Sequence, residues 1–498
     1  MNAGIAGARR WRYAALALLV FVLALVAAVP GLGQGVTPQQ VTVSLPPGGS
    51  TMVAKAVETN PLPPASDFLF LADTTGSMGP SIDDVKTNAQ AIINAIEGAG
   101  AADGRYAVAN YRDTTAGLAA CDYLDELDTN FTNAAGAITA INTWSVGSTG
   151  GVDDGCDLPE SQLYALHQAA TSSLGLSWRA AAEKFVIWFG DAPGHDPICN
   201  LLPGYSDPAA AVTEASATAD LVTLGAHVIA VSIVGGASQP GLDADPAPTS
   251  FSYPPPCAPD EMGTAGQATR ITTATGGVLF VNPAGASVAA AIIAALNALP
   301  PVPVTVTPSA TCDAGLTTSF TPSSQVVPSG STANFQETIT VTAALPGVTL
   351  TCTVDFLING VSAGPAFVQT ITVNVGFPPS TEGCKVTQGG WILTSAGDRA
   401  NFGGNAHVPP KGHENYVDHG TGMHVSSIDI LSVVCSEDGT MASIFGTATI
   451  DGAGSFVFRI DVVDNGEPGT NDRYRLRLSN GYDSGNQLLQ GGNVQIHS

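Results

Sequence analysis

The sequence predicts a multidomain chain in which an α/β unit, built on a doubly wound and mostly parallel sheet, is followed by two all-β modules. Three observations predict it. From Asp67 to about Leu299, short apolar runs alternate with segments of helical period, as expected of strands covered on both faces by helices. Proline clusters at Pro300, Pro301 and Pro303 and at Pro378-Pro379 fall where that rhythm changes. Beyond the first cluster the helical period disappears and β-type segments take over.

Taken in order, residues 1–34 have the layout of an export signal: Arg9, Arg10 and Arg12, an apolar run from Ala14 to about Val29, then Pro30 and Gly31. The run is near the lower limit for a membrane span, so an uncleaved anchor is the alternative. Residues 35–66 read as a linker or edge strand. In the α/β unit, residues 67–300, Phe68–Ala72 is a fully apolar strand and Val85–Ile96 a helix. Tyr106–Tyr111, Phe185–Phe189, His227–Val234 and Val278–Val281 are further strands. Helices are expected at Ala134–Trp144, Pro159–Ala170, Ala209–Leu224, Ala265–Ala274 and Ala286–Leu299. Residues 301–377 read as a β-sandwich of immunoglobulin-like size, with Asn359-Gly360 as a hairpin turn. Residues 382–498 read as a further β-unit, with strands near Trp391–Thr394, Ile428–Val434, Ala442–Ile450, Phe456–Val463 and Tyr474–Leu478.

The 498 residues suit about three domains, and 44% hydrophobic residues provide for buried cores. Acidic residues outnumber basic ones 42 to 17, for a net charge of −25. That sign disfavours a nucleic-acid partner, because phosphate contacts need Lys and Arg. Eight cysteines in an exported chain read as disulfides. They divide evenly: Cys121, Cys156, Cys199 and Cys257 in the first unit, Cys312 and Cys352 in the second, Cys384 and Cys435 in the third. Eight cysteines allow about 105 pairings, so connectivity stays open, with sequential pairing the simplest arrangement.

The segment that carries chemistry follows the first strand. In Asp73-Thr74-Thr75-Gly76-Ser77-Met78, alternate side chains of an extended chain point the same way, so Asp73, Thr75 and Ser77 can converge. A carboxylate and two hydroxyls suit a hard cation such as Mg²⁺. Ligands of open α/β sheets bind beyond the carboxyl ends of the strands, and Phe185–Phe189 delivers Asp191 to that same edge. Two other clusters are read as ordinary surface: an acidic loop of Asp122, Asp125, Glu126 and Asp128, and His407, His413, His419 and His424 in the last unit. Gly194-His195-Asp196-Pro197 reads as a turn.

Asp73-x-Thr75-x-Ser77 resembles the metal-ion-dependent adhesion site of von Willebrand factor type A domains, a Rossmann-like fold. Val108–Asp113 (VANYRD), Asp157–Ser161 (DLPES), Trp178-Arg179 and Val186–His195 (VIWFGDAPGH) are similar to the I-like domain of integrin β subunits. The resemblance covers residues 66–299. It implies that Asp73, Thr75 and Ser77 hold a cation, that Glu160 approaches it, and that Asp191 acts on it directly or through water. An open coordination position would accept a carboxylate from a ligand. The family's second cation position would be formed by Asp113, Asp157, the carbonyl of Pro159 and Glu160, although Gly155 stands where the family supplies Asn. Its third position uses acidic residues soon after the serine; here Pro80 and Ser81 stand there and Asp83-Asp84 are displaced. In residues 382–498, Gly389–Ile392, Ala400–Gly403, Gly446–Gly452, Phe458–Val462, Tyr474–Leu476 and Gly491–His497 resemble the post-COAP β-module of secreted prokaryotic proteins.

The expected function is a secreted or cell-surface, divalent-cation-dependent adhesion protein. It would use Mg²⁺, or Mn²⁺ or Ca²⁺, and bind an extracellular protein or matrix ligand through an acidic residue, with no membrane span in the mature form. The alternative is an extracellular enzyme with the type A domain as docking module. Against it, no Walker loop, GxSxG elbow or HExxH segment occurs.

Overall fold

The computed structural model describes residues 34–113, 124–147, 159–200, 202, 205, 211–246, 263–342 and 344–497. The export segment, Cys121, Asp122, Gly155, Cys156, Asp157 and Cys257 lie outside the described residues. The chain enters through β1 (Gly35–Thr37), β2 (Gln40–Leu45) and β3 (Ser50–Glu58). These residues, expected as a linker or edge strand, pair with segments far downstream.

The α/β unit comes next: β4 (Ala65–Asp73), α1 (Gly79–Gly98), β5 (Asp103–Tyr111), β6 (Asp125–Thr132), α2 (Ala134–Ile141), α3 (Gln162–Ala170), β7 (Glu183–Gly190), α4 (Glu214–Leu224), β8 (Ala226–Val234), α5 (Gln267–Ala274), β9 (Val278–Pro283) and α6 (Val288–Asn297). The strands form one sheet in the order β6-β5-β4-β7-β8-β9, parallel except for β6. Strand alternation divides the core. Phe68, Phe70 and Ala72 of β4 pack with Val85 and Ile92 of α1 and Ile292 of α6. Leu69 and Leu71 pack with Leu163 of α3, Leu221 of α4 and Ile271 of α5. Strand β4 is therefore buried along its whole length, and its C-terminal end opens onto the sheet edge. Asp125, Glu126 and Asp128, expected in a loop, lie in the edge strand β6. Asp128 accepts hydrogen bonds from Asn110 Nδ2 (3.0 Å) and Trp144 Nε1 (2.9 Å).

After α6 the chain forms β10 (Pro303–Cys312), β11 (Leu316–Thr321), β12 (Gln325–Pro328), β13 (Thr332–Val341), β14 (Thr349–Ile358) and β15 (Val368–Val375). With the three N-terminal strands they make two sheets, β1-β3-β13-β11 and β12-β10-β14-β15-β2. The α/β unit is thus an insertion between β3 and β10 of this sandwich. One turn holds both crossing segments. Thr59 N–H donates to the Ser331 carbonyl (3.0 Å), and Ser329 N–H donates to the Val302 carbonyl (2.7 Å). Cys312 and Cys352 are direct cross-strand partners and are bonded to each other. Inside the sandwich Lys55 Nζ lies 3.3 Å from Glu337 Oε2, both side chains fully buried.

The last unit is a closed eight-stranded barrel of β16 (Lys385–Leu393), β17 (Arg399–His407), β18 (Lys411–Asp418), β19 (His424–Cys435), β20 (Met441–Ile450), β21 (Ala453–Val463), β22 (Arg473–Leu478) and β23 (Gln487–His497). Each strand pairs with its successor and β23 returns to β16. A Cys384–Cys435 disulfide ties the entry segment to β19.

Glu414 points into the barrel, where Gln388 Nε2 donates to its Oε2 (2.8 Å). Burial raises its carboxyl from 4.5 to about 8, against the opposing effect of that hydrogen bond. Between those values the folded barrel keeps a proton that the unfolded chain has released, so barrel stability falls as pH rises from about 4.5 to about 8. Glu414→Gln is expected to leave the melting temperature near that of the wild type at pH 4 and to raise it by several degrees at pH 8. Thermal scans at both pH values check this.

Candidate metal centre

The centre is assembled where β4 and β7 end. Burial on both faces fixes β4, and Thr74 N–H continues the strand pairing by donating to the Tyr111 carbonyl (3.1 Å). The chain then bends around the Asp73 carboxylate. Thr75 donates to Asp73 Oδ1 from its N–H (2.9 Å) and from its hydroxyl (2.6 Å). A single helical turn, Gly76–Met78, brings Ser77 Oγ to 3.4 Å from Thr75 Oγ1. Pro80, in the first turn of α1, starts the helix beyond it. From the next strand, Asp191 follows β7 directly.

Both carboxylates are fully buried. Burial first, and then the charge of Asp191, push the Asp73 carboxyl above the ordinary carboxylate range, while the Thr75 hydrogen bonds pull it down. Burial also raises Asp191, opposed by hydrogen bonds from Gln239 and Ser77. Asp73 Oδ2 and Asp191 Oδ1 have no hydrogen-bond donor. A buried acceptor left without a partner costs about 1–3 kcal/mol, more when charged, so this pair is unfavourable by itself. The Thr75 proton is directed at Asp73, which leaves that hydroxyl's lone pairs available. The donor set is therefore two carboxylate oxygens and two hydroxyl oxygens, with no nitrogen or sulfur. It fits a hard divalent cation.

The floor of the centre was not foreseen. Tyr111 is fully buried beneath it and accepts a hydrogen bond from Trp188 Nε1 (3.0 Å). Burial, followed by the charge of Asp73, raises its phenol well above the usual value, so it stays protonated; Glu160 and Asp191 add to the effect. Gly190 is required here, because a Cβ would lie 2.3 Å from the Tyr111 hydroxyl and 3.2 Å from Asp73 Cβ. Gln239, in the turn after β8, donates from Nε2 to Asp191 Oδ2 (2.9 Å) and to the Ser77 carbonyl (3.1 Å). No local pattern marks it, because Ser77 and Asp191 lie 162 and 48 residues away in sequence. Arg112 lies beside the centre and donates from Nε to Thr74 Oγ1 (3.1 Å) and from Nη2 to the Ser145 carbonyl (2.8 Å).

Glu160 is buried next to the β7 end. Its N–H donates to the Pro193 carbonyl (2.9 Å), and its own carbonyl accepts from His195 N–H (3.1 Å). Asp113 lies with Oδ2 at 3.5 Å from His195 Nε2, both side chains fully buried. His195, read as part of a turn, is thus an interior residue facing a carboxylate. Asp157 lies outside the described residues, and Pro159 is buried beside Glu160. Among the described residues no three His, Cys, Asp or Glu side chains gather as a metal-holding group, including the histidines of the barrel. Asp84, one of the displaced acidic pair, is engaged elsewhere: its Oδ2 accepts from Ser287 Oγ (3.0 Å) and Ala289 N–H (2.9 Å) at the start of α6.

No protein-family model matches the chain, and no curated protein matches it. Solved structures overlap it loosely. The pilus adhesin SpaC from Lactobacillus rhamnosus GG, in its open conformation, is 11% identical with a TM-score of 0.30, over 91% of this chain and 82% of that one. The ArnB paralog VWA2 from Sulfolobus acidocaldarius is 11% identical with a TM-score of 0.25, over 66% and 72%. The human COPII-coat protein Sec24c is 9% identical with a TM-score of 0.26, over 65% and 46%. Overlaps of this size do not establish a shared fold.

Proposed function

We propose that this chain is a secreted or cell-surface adhesion protein that binds its ligand through a divalent cation, with a type A domain of the integrin β I-like kind as the binding unit. The observation that carries this reading is the pair of buried carboxylate oxygens without donors, Asp73 Oδ2 and Asp191 Oδ1, beside two hydroxyls at one sheet edge. Asp73, Thr75, Ser77 and Asp191 would hold the cation, and Glu160, which does not gather with the two aspartates, would act on it from the neighbouring loop through water. Mg²⁺ fits the all-oxygen set, with Mn²⁺ or Ca²⁺ as substitutes. The cation supplies a positive charge able to accept an acidic side chain of an extracellular protein or matrix ligand. The protein is then a binder and not a catalyst.

An extracellular setting agrees with the disulfides, which persist in oxidising compartments. Among the described residues no helix is long and apolar enough to cross a membrane. The barrel, with its post-COAP-like sequence, would display or anchor the binding unit.

Calorimetric titration of Mg²⁺ into the EDTA-stripped chain tests the reading. The wild type is expected to take up cation. Asp73→Ala should lower the affinity by more than the roughly 10–100-fold that follows loss of a mere outer-sphere partner. No uptake by the wild type, or uptake indifferent to Asp73→Ala, overturns it.

A further inference from the structure

The turn after β8 reaches the cation face without bringing a carboxylate. Gly235 N–H donates to the Gln239 carbonyl (2.9 Å), and Gln239 N–H donates to the Gly236 carbonyl (3.2 Å). The reversal is tight, and residues 236–238 are exposed. Gly235 has no room for a side chain: a Cβ there would lie 2.3 Å from Ala284 Cβ and 2.5 Å from Gln239 Oε1. Gly241 N–H donates to the Asp191 carbonyl (2.6 Å), which pins the far side of the turn to the end of β7. Backbone contacts therefore place the turn, and the Gln239 side chain is the part of it that enters the centre.

A single nitrogen of that side chain serves two acceptors, Asp191 Oδ2 (2.9 Å) and the Ser77 carbonyl (3.1 Å). Two acceptors fix the amide orientation, since only the NH₂ end can satisfy both. One oxygen of Asp191 is thereby committed to the amide, and Oδ1 is left for the cation. That difference separates two hard cations. Mg²⁺ demands near-ideal octahedral geometry and is satisfied by single carboxylate oxygens. Ca²⁺ takes more oxygens, in a looser shell, and readily uses both oxygens of one carboxylate.

We propose that Gln239 is a specificity-determining positioning residue: by holding Asp191 Oδ2 and the Ser77 carbonyl on one amide, it keeps Asp191 a single-oxygen partner and biases the centre toward Mg²⁺ over Ca²⁺. This rests on the cation-binding reading above. It assigns a selectivity function to a residue that itself offers the cation nothing.

The test uses the full chain, stripped with EDTA and titrated calorimetrically with Mg²⁺ and separately with Ca²⁺. Three proteins are compared: wild type, Gln239→Leu, which removes the donor, and Gln239→Met, which removes it while keeping the length of the side chain. The ratio of Ca²⁺ to Mg²⁺ affinity is expected to rise about tenfold in both variants, with cation-free melting temperatures lowered by the loss of the donor to Asp191 Oδ2. A residue that only braces the turn weakens both cations alike, so an unchanged ratio overturns the proposal while leaving the cation centre in place. A wild type that takes up neither cation overturns both readings. If Gln239→Leu does not fold, the ratio in Gln239→Met decides.

Discussion

Replacing Lys55 by Met, with Glu337 left in place, is expected to cost about 3–5 kcal/mol of sandwich stability, because it strands a buried carboxylate. The two side chains lie on adjacent strands, β3 and β13, and point between the sheets. Glu337 also accepts from Thr318 Oγ1 (2.8 Å) and Gln369 Nε2 (2.8 Å), and Lys55 Nζ donates to the Pro38 carbonyl (3.1 Å). Burial lowers the Lys55 ammonium to about 8, opposed by the charge and hydrogen bond of Glu337, and taking two charges out of water offsets much of their mutual attraction. The pair is consequently a weak source of stability, although breaking it on one side is costly. The double variant Lys55→Met/Glu337→Gln is expected to regain most of the loss, since Gln can keep an acceptor for Thr318. Denaturant unfolding of the three proteins checks both steps. A single variant within 1 kcal/mol of the wild type, or a double variant no better than the single, contradicts this account of the sandwich.

Gly190→Ala is expected to damage the cation centre without replacing any of its ligands. The added Cβ would meet the Tyr111 hydroxyl at 2.3 Å. That hydroxyl cannot swing aside easily, because Tyr111 is fully buried and bonded to Trp188. Overpacking of this kind costs about 1–3 kcal/mol. The displaced floor should also move Asp73, which lies 3.2 Å from the same Cβ, and weaken cation binding about tenfold or more. Adding Tyr111→Phe removes the clashing oxygen. It should restore much of the affinity but not all of the stability, because Trp188 Nε1 then loses its acceptor. Paired titration and melting measurements separate the two effects; wild-type affinity in Gly190→Ala would place the floor outside the centre.

What the sequence disclosed follows from the range of the interactions involved. Phe68–Ala72 and the Asp73-x-Thr75-x-Ser77 segment were legible because strand alternation and a local turn bring those side chains together within a few residues. Asp191 was legible because a second apolar run ends in it. Gln239 was not, since its partners Asp191 and Ser77 are remote in sequence and no periodicity marks it. Strand β6 was hidden because Asp125–Thr132 is an edge strand of mostly polar residues, with only Leu127 and Phe131 packed on the core, and reads as a loop. Lys55 sits at an inward position of an alternating strand, where a lysine ordinarily signals the solvent face. The insertion of the α/β unit was invisible for a related reason: Glu58 pairs with Thr332 across the whole inserted unit, and pairing over that distance leaves no local trace. His195 shows the converse error, since turn-forming neighbours concealed a buried side chain facing Asp113.

The most direct test of the central claim is anomalous diffraction from crystals of the EDTA-stripped chain soaked in Mn²⁺. A peak is expected that is bounded by Asp73, Thr75, Ser77 and Asp191 and lies within about 2.3 Å of at least one carboxylate oxygen, as for direct coordination by a small divalent ion. A map with no peak there, or with its manganese held only between Asp113 and Glu160, would contradict that claim.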